Sequence, residues 1–339
     1  MKMETKILKA EVQSVLAAAE LLKGGEVVAV PTETVYGLAA NALDVSAVKK
    51  IFEAKGRPQD NPLILHISSV DMLYDIAGEV NPLALTLAEN FWPGPLTMIF
   101  PRKPHIPAET CGGLDTAAVR MPKNSFTLSL ISACGFPLAA PSANISGLPS
   151  PTCAEHVFRD MKGKIPLIID GGECRYGVES TVICFEGEKG VRILRPGAAT
   201  AEMLREYADV TVDSGVLQML EPGQKALSPG MKYKHYSPNA EVYIIEGSDE
   251  QIEVFINSES RNGKTAFLGF GNENVTDSCI KLPYGATAEE QAENLFKSLR
   301  TADDMGCTAV YVRMPERSGI GLAVYNRLLR SAAFRIIRL

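Results

Sequence analysis

This chain of 339 residues lacks the marks of several protein classes. No uninterrupted apolar run approaches the roughly 20 residues a membrane-spanning helix needs. The opening MKMETKILKAEVQS has neither the apolar core nor the small-residue cleavage site of a secretory leader, so a cytoplasmic protein with no membrane partner is expected. Cysteines are seven, at positions 111, 134, 153, 174, 184, 279 and 307, with no CxxC pair, and the four histidines at 66, 105, 156 and 235 are equally dispersed. A zinc ribbon or a redox dithiol needs close pairs, because two thiolates must reach one ion or each other. Reduced packing cysteines and no structural metal are therefore expected. Positive charge is not in excess: 34 basic residues face 40 acidic ones, a net charge of −6. Divided at residue 208, the two parts hold 20 basic against 23 acidic and 14 against 17, so each carries −3. No basic arm or tail marks a nucleic-acid binder, although a local basic groove stays compatible with this balance. Also missing are G-x-x-x-x-G-K-[ST], G-x-S-x-G, HExxH and a G-x-G-x-x-G after a strand. The P-loop, serine-hydrolase, zinc-protease and nucleotide-redox readings thereby lose their signatures.

What the chain does contain is the composition of a globular protein, 46% hydrophobic and 22% charged. Apolar runs at 27–30, 62–67, 95–100, 117–121, 137–141, 166–170, 180–185 and 191–195 predict strands. Helical spacing over 12–23, 46–55, 82–91, 126–134 and 200–207 predicts helices, with Ser46 and Thr200 as N-caps. Several strands follow one another directly, which favours a twisted mixed α/β sheet over a purely parallel one. Residues 213–239 are punctuated by Gly, Pro and Ser and read as a tether. Beyond them, strand patterns at 242–245, 265–270 and 309–314 alternate with helical ones at 249–256, 288–303 and 321–332, predicting a small doubly wound α/β domain. The expected organisation is a first domain over 1–208, a linker over 209–239 and a second domain over 240–339.

Six polar segments follow or flank the predicted strands. PTETVYGL (31–38) concentrates three hydroxyls (Thr32, Thr34, Tyr36) and the Glu33 carboxylate at a strand's carboxyl end, where open α/β sheets bind ligands; it also suits an ordinary turn. KGRPQDNPL (55–63) sets Lys55 and Arg57 just past a helix, as a phosphate clamp or as a helix C-terminal cap. GLDTAAVRMP (113–122) embeds Arg120 in a strand, where burial demands an anionic partner. APSANISG (140–147) offers Ser142, Asn144 and Ser146. GVESTV (177–182) and LRPG (194–197) add Glu179, Ser180, Thr181 and Arg195. Together these segments favour a polyanionic ligand. His66 ends a strand and reads equally as a pocket residue or a satisfied structural histidine. Without an evident general-base histidine, positioning and charge neutralisation are the expected catalytic devices.

In their order along the chain, PTETVYGL, KGRPQDNPLILHI, WPGPLT (92–97), GLDTAAVRMP, APSANISG, IDGG (169–172), GVESTV and LRPG resemble the threonylcarbamoyladenylate synthase family, of the YrdC-like type, over roughly residues 10–208. SPGMKYKHYSP (228–238) and the extra domain resemble its long, two-domain members. The resemblance implies a twisted α/β sheet with a concave active-site cavity, joined to a smaller Rossmann-like domain. The implied reaction takes L-threonine, bicarbonate or CO2, and ATP with Mg2+ to L-threonylcarbamoyl-AMP and pyrophosphate. A downstream transferase then modifies the adenosine next to the anticodon of a tRNA. Lys55 and Arg57 are the implied catalytic cations. Thr32, His66, Arg120, Ser142, Ser180 and Thr181 are implied to hold L-threonine or its carbamate. Lys55, Arg57, Asn61, Thr116, Ser142, Asn144, Arg195, His235 and Tyr236 are implied to bind ATP, with no dedicated protein metal site. Tyr233, His235 and Tyr236 would fold over the cavity as a lid, the alternative being a passive tether whose aromatics dock on a domain surface. Two rival readings are a tRNA- or double-stranded-RNA-binding module without chemistry, including direct tRNA contact, and another carbamoyl-transfer enzyme.

Overall fold

Strands rich in Val, Ile, Leu and Ala, buried on both faces, run through the centre of the first part of the molecule. The computed structural model describes residues 3–218, 235–261 and 263–339. They belong to two compact units. Residues 219–234, and with them Tyr233 of the expected lid, lie outside the described residues.

The described residues of the first unit fall within Met1–Ser146, Ser150–Arg175 and Glu179–Lys232. Their elements are β1 (Lys6–Lys9), α1 (Val12–Lys23), β2 (Val28–Val30), β3 (Gly37–Asn41), α2 (Val45–Lys55), β4 (Ile64–His66), α3 (Val70–Ile76), α4 (Pro82–Phe91), β5 (Leu96–Pro101), β6 (Thr116–Arg120), α5 (Ser125–Cys134), β7 (Leu138–Ala139), α6 (Ala154–Met161), β8 (Leu167–Asp170), β9 (Thr181–Glu186), β10 (Gly190–Arg195), α7 (Ala201–Leu204) and β11 (Asp209–Val212). Among the described residues the strands form one mixed sheet in the order β1-β8-β2-β3-β7-β4-β6-β5-β9-β10-β11. β4 and β6 run parallel with His66 opposite Arg120, while β7 runs antiparallel to β3 and to β4. The mixed α/β sheet is as expected.

α2 shows how sequence places a functional side chain. Ala47, Val48, Ile51 and Phe52 face the core at helical spacing. The Asp44 carboxylate caps the first turn, accepting from Ser46 N at 2.8 Å and Ala47 N at 3.3 Å. Ser46, the expected cap, instead lies inside the helix, because Asp44 reaches both orphan amides from two residues earlier. Gly56, at φ 61°, closes the helix in the left-handed conformation and turns the chain between Lys55 and Arg57. Thr200 caps α7 as expected, accepting from Met203 N at 3.3 Å.

Several elements go beyond expectation: β3, α3 and α6, and two strands at the sheet's edges. Residues 209–212, assigned to the linker, form β11 parallel to β10; Val210 and Val212 give DVTV the β-branched alternation of a strand. Lys6–Lys9 forms β1 parallel to β8, although all four residues are exposed and carry no burial signal.

The described residues of the second unit fall within Gly147–Pro149, Tyr176–Val178 and Tyr233–Leu339. Its elements are β12 (Glu241–Glu246), α8 (Asp249–Glu259), β13 (Thr265–Leu268), β14 (Ile280–Lys281), α9 (Ala288–Asp304), β15 (Ala309–Arg313), α10 (Gly321–Ser331) and β16 (Ile336–Arg338). The strands pair in parallel, in the order β14-β13-β15-β12-β16. Capping boxes at Ser248/Gln251 and Thr287/Glu290 start α8 and α9.

Candidate functional site

Strand register sorts the expected site residues into two groups. His66 ends β4, level with Arg120 at the end of β6. Across β5 and β9 the same level passes through Met98 and Thr97 to Val182, and Val182 pairs with Arg195 at the end of β10. His66, Arg120, Ser180, Thr181 and Arg195 thus share one end of the central strands. Thr116 opens β6 two residues before Ala118, which is level with Ile64, whose carbonyl accepts from Ala140 N. Ser142, two residues past Ala140, therefore lies with Thr116 at the other end. Arg120 stands four residues past Thr116 on β6, so the two ends are about 13 Å apart along the sheet.

The loop after β2 links the two ends. Gly37 bridges to Ser142, and the Tyr36 carbonyl accepts from Ala143 N at 2.8 Å. Within the loop, the Thr32 hydroxyl donates to the Val35 carbonyl at 2.6 Å and accepts from Thr34 N and Val35 N at 3.2 and 3.3 Å. The loop is held from outside by Thr127 Oγ1, which donates to the Pro31 carbonyl at 2.6 Å. Tyr36 OH donates to Gly172 O at 2.7 Å and accepts from Gly171 N at 3.0 Å, and burial pushes its phenol up, so it stays protonated. IDGG, part of the ordered motif set, is thereby a clamp on PTETVYGL.

At the Ser142 end, Lys55 is 1% exposed. Its Nζ donates to the carbonyl of Ser142, to the Asn144 carbonyl at 2.6 Å and to Asn144 Oδ1 at 3.4 Å. Ser142 Oγ donates to the same Oδ1 at 2.5 Å, and Asp160 Oδ2 accepts from Ile145 N at 3.2 Å. Lys55 therefore builds the Ser142–Asn144 loop as well as placing a positive charge beneath it. Arg57 donates to the Asn61 carbonyl at 3.4 Å and the Pro62 carbonyl at 3.2 Å, folding KGRPQDNPL into a compact turn. Asn61 Oδ1 is buried with no hydrogen-bond partner among the described residues.

At the opposite end, Arg195 Nε donates to the Ser180 carbonyl at 3.0 Å and its Nη2 to Ser180 Oγ at 3.1 Å. Ser180 Oγ also lies 2.8 Å from Thr97 Oγ1. Thr181 is committed elsewhere: its hydroxyl donates to the Ala199 carbonyl at 2.6 Å. Arg120 Nη1 donates to Thr34 Oγ1 at 2.9 Å and Nε to the Gly94 carbonyl at 3.2 Å, while Nη2 lies 2.7 Å from Glu33 Oε1. The anionic partner demanded by a buried Arg120 is thus supplied by the chain itself. His66 Nδ1 lies 3.2 Å from the Ile64 carbonyl; burial first, and then the Arg120 charge, pull its pKa down to about 3, so the imidazole is neutral.

His235 and Tyr236 belong to the second unit, where the Tyr236 ring packs on Phe296 at 5.2 Å and Arg327 lies 5.7 Å from its centroid. Sequence reasoning noted Glu33 in its loop without giving it a role, and did not select Thr97, Thr127 or Asp160. Glu33 and Thr97 sit inside quoted motifs; Thr127 and Asp160 act from helices whose apolar spacing gives no hint of them. Among the described residues no group of three or more His, Cys, Asp and Glu side chains is placed to hold a metal ion, and all seven cysteines are free. No described helix is long and apolar enough to cross a membrane.

A mixed α/β sheet thus carries cations and hydroxyls at both ends of its central strands. Comparison with known proteins narrows the class. The family model described as "Telomere recombination" matches residues 20–197, and that described as "Threonylcarbamoyl-AMP synthase, C-terminal domain" matches residues 199–333. The threonylcarbamoyl-AMP synthase of Pyrococcus abyssi is 47% identical over 95% of this chain and 94% of its own length. The Bacillus subtilis protein of the same name is 44% identical over 95% and 93%. The crystal structure of P. abyssi Sua5 complexed with L-threonine superposes with a TM-score of 0.91 at 44% identity, covering 100% of both chains. The chain belongs to the threonylcarbamoyl-AMP synthase family.

Proposed function

We propose that this chain joins L-threonine, bicarbonate (or CO2) and ATP into L-threonylcarbamoyl-AMP, releasing pyrophosphate. The observation that carries the reading is the two-ended site in a chain matched along almost its whole length by relatives named for this reaction. The product has an amino-acid part and a nucleotide part, and two polar ends about 13 Å apart along a sheet suit such a molecule. Arg120, His66, Thr32 and Ser180 mark the amino-acid end. Asn61, Thr116, Ser142 and Asn144 mark the nucleotide end.

The chemistry asks for positioning and charge neutralisation. A carbamate oxygen attacks the α-phosphorus while the bond to pyrophosphate breaks, and both partners are anions. Lys55, Arg57 and Arg195 lower that repulsion, and their buried hydrogen bonds fix them before substrate arrives, so little reorganisation is needed. The orphaned Asn61 Oδ1 can accept a hydrogen bond from an exocyclic amine of the base. Mg2+ would enter with ATP as its counter-ion and need few protein ligands; the Ser142 hydroxyl would be the hard oxygen offered to it, since Asn144 Oδ1 already accepts from Lys55 and Ser142. When bound it neutralises phosphate charge. The neutral His66 imidazole serves as a hydrogen-bonding wall and not as a proton shuttle near pH 7.

The mixed anhydride formed hydrolyses readily, so it must be consumed by a further acyl transfer. In this proposal a separate transferase carries the group to a tRNA adenosine, in the cytoplasm. The test is pyrophosphate release from ATP and Mg2+, measured with both, either or neither of L-threonine and bicarbonate. Release is expected only with both; release indifferent to threonine overturns the proposal.

A further inference from the structure

The ion pair between Glu33 and Arg120 is buried and yet incompletely bonded. The two side chains are 5% and 4% exposed, and Glu33 Oε1 lies 2.7 Å from Arg120 Nη2. That contact lacks hydrogen-bond alignment: both carboxylate oxygens of Glu33 and Nη2 of Arg120 have no hydrogen-bond partner among the described residues. The rest of the guanidinium is committed, Nη1 to Thr34 Oγ1 and Nε to the Gly94 carbonyl. Buried polar atoms are almost always satisfied, so three orphans facing one another, one cationic and two anionic, call for a ligand.

Charge selects its class. A ligand carrying only a carboxylate would draw Arg120 away and leave Glu33 buried without compensation, and a simple amine would do the converse to Arg120. A zwitterion satisfies both groups at once. The neighbouring side chains add no competing charge. Thr32 and Thr34 are uncharged, and His66, level with Arg120 on the adjacent strand, is held neutral. Cys174, whose shift reports Glu33 and Arg120 nearby, is held as a thiol by burial.

We infer that Glu33 is the residue that binds the α-ammonium group of the amino-acid substrate, while Arg120 binds its α-carboxylate, so that the zwitterion inserts as a second, opposed ion pair. The inference rests on the threonine-using reading above and assigns the specificity of that site. It makes the amine, and not only the carboxylate and the hydroxyl, a feature the protein measures. It also aims the nitrogen, the atom that must become the carbamate, from a fixed carboxylate.

The test uses the full chain and two probes: L-threonine, and 2,3-dihydroxybutanoate, in which a hydroxyl replaces the ammonium. Glu33→Gln keeps the shape and removes the charge. Its affinity for L-threonine is expected to fall about tenfold to a hundredfold, the usual range for losing a hydrogen bond to a charged group. Its affinity for dihydroxybutanoate should not fall, because the glutamine leaves no uncompensated buried carboxylate when Arg120 turns to the ligand, and KM for ATP should not move. Glu33→Asp retains the charge and should retain the preference for threonine, which keeps the inference testable should the glutamine variant fail to fold. Unchanged threonine affinity in Glu33→Gln overturns the inference. So does an equal loss of both probes in both variants, which would make Glu33 only a support for Arg120. Failure of the synthase reading is distinct: there the parent protein itself would show no threonine-dependent pyrophosphate release.

Discussion

Lys55 is the residue on which the nucleotide end depends most. Its ammonium satisfies carbonyls of two residues in the Ser142–Asn144 loop. Replacing it with Met leaves those carbonyls buried and unpaired, a cost of about 1–3 kcal/mol, and also removes a charge from beneath the phosphates. Lys55→Met is therefore expected to lower the urea midpoint and to reduce kcat at least tenfold; a variant of normal stability and activity would refute this double role. His66 carries a second expectation, in pH. Its pKa is about 3 when folded and near 6.5 when unfolded, so below pH 6.5 the unfolded chain takes up the proton first. His66 thus contributes stability that is intact above 6.5 and is lost as the pH falls towards 3. In His66→Asn, unfolding free energy measured across pH 7 to 4 should fall less steeply than in the parent. Residue types at this scale were largely legible in sequence, because loops rich in hydroxyls and cations stand out at strand ends. Their bonds were not: the commitment of Thr181 to Ala199 and of Arg120 to Glu33 joins residues 18 and 87 positions apart.

Among elements, α2 and the turn after β10 carry the site most directly. Asp44 caps the helix that delivers Lys55, and Asp44→Ala should cost about 1 kcal/mol in chemical denaturation while Ser46→Ala costs less. Gly197 follows the Arg195 strand, and a Cβ there would lie 2.3 Å from Thr181 N and 2.7 Å from the Glu179 carbonyl, both backbone atoms that cannot swing aside. Gly197→Ala is expected to destabilise by about 1–3 kcal/mol and to raise KM by displacing Ser180; near-parental stability would contradict that packing. Helices α1 and α4 match their sequence patterns end to end, since a strong apolar stripe fixes both length and face. β1 and β11 escaped notice because edge strands owe their existence to a partner's backbone and not to burial of their own side chains.

For the molecule as a whole, β11 carries the first unit past residue 208. Val210 is partly buried against the main core and β11 covers the edge of β10, so a chain ending at residue 208 exposes a strand edge that one ending at 218 keeps paired. The shorter form is expected to melt lower and to aggregate, checked by thermal scans with light scattering. The mixed sheet and the parallel second unit were legible in the order of strands and helices. The arrangement of the site across both ends of the central strands was not, because it follows from register. The central claim is that this site makes one molecule out of an amino acid, a one-carbon unit and a nucleotide. It is tested most directly by supplying 13C-bicarbonate with L-threonine, ATP and Mg2+ and weighing the nucleotide product. Threonylcarbamoyl-AMP heavier by one mass unit than the product from ordinary bicarbonate is the predicted result. Pyrophosphate release without that labelled product, or no threonine-dependent reaction from folded protein, would contradict the account.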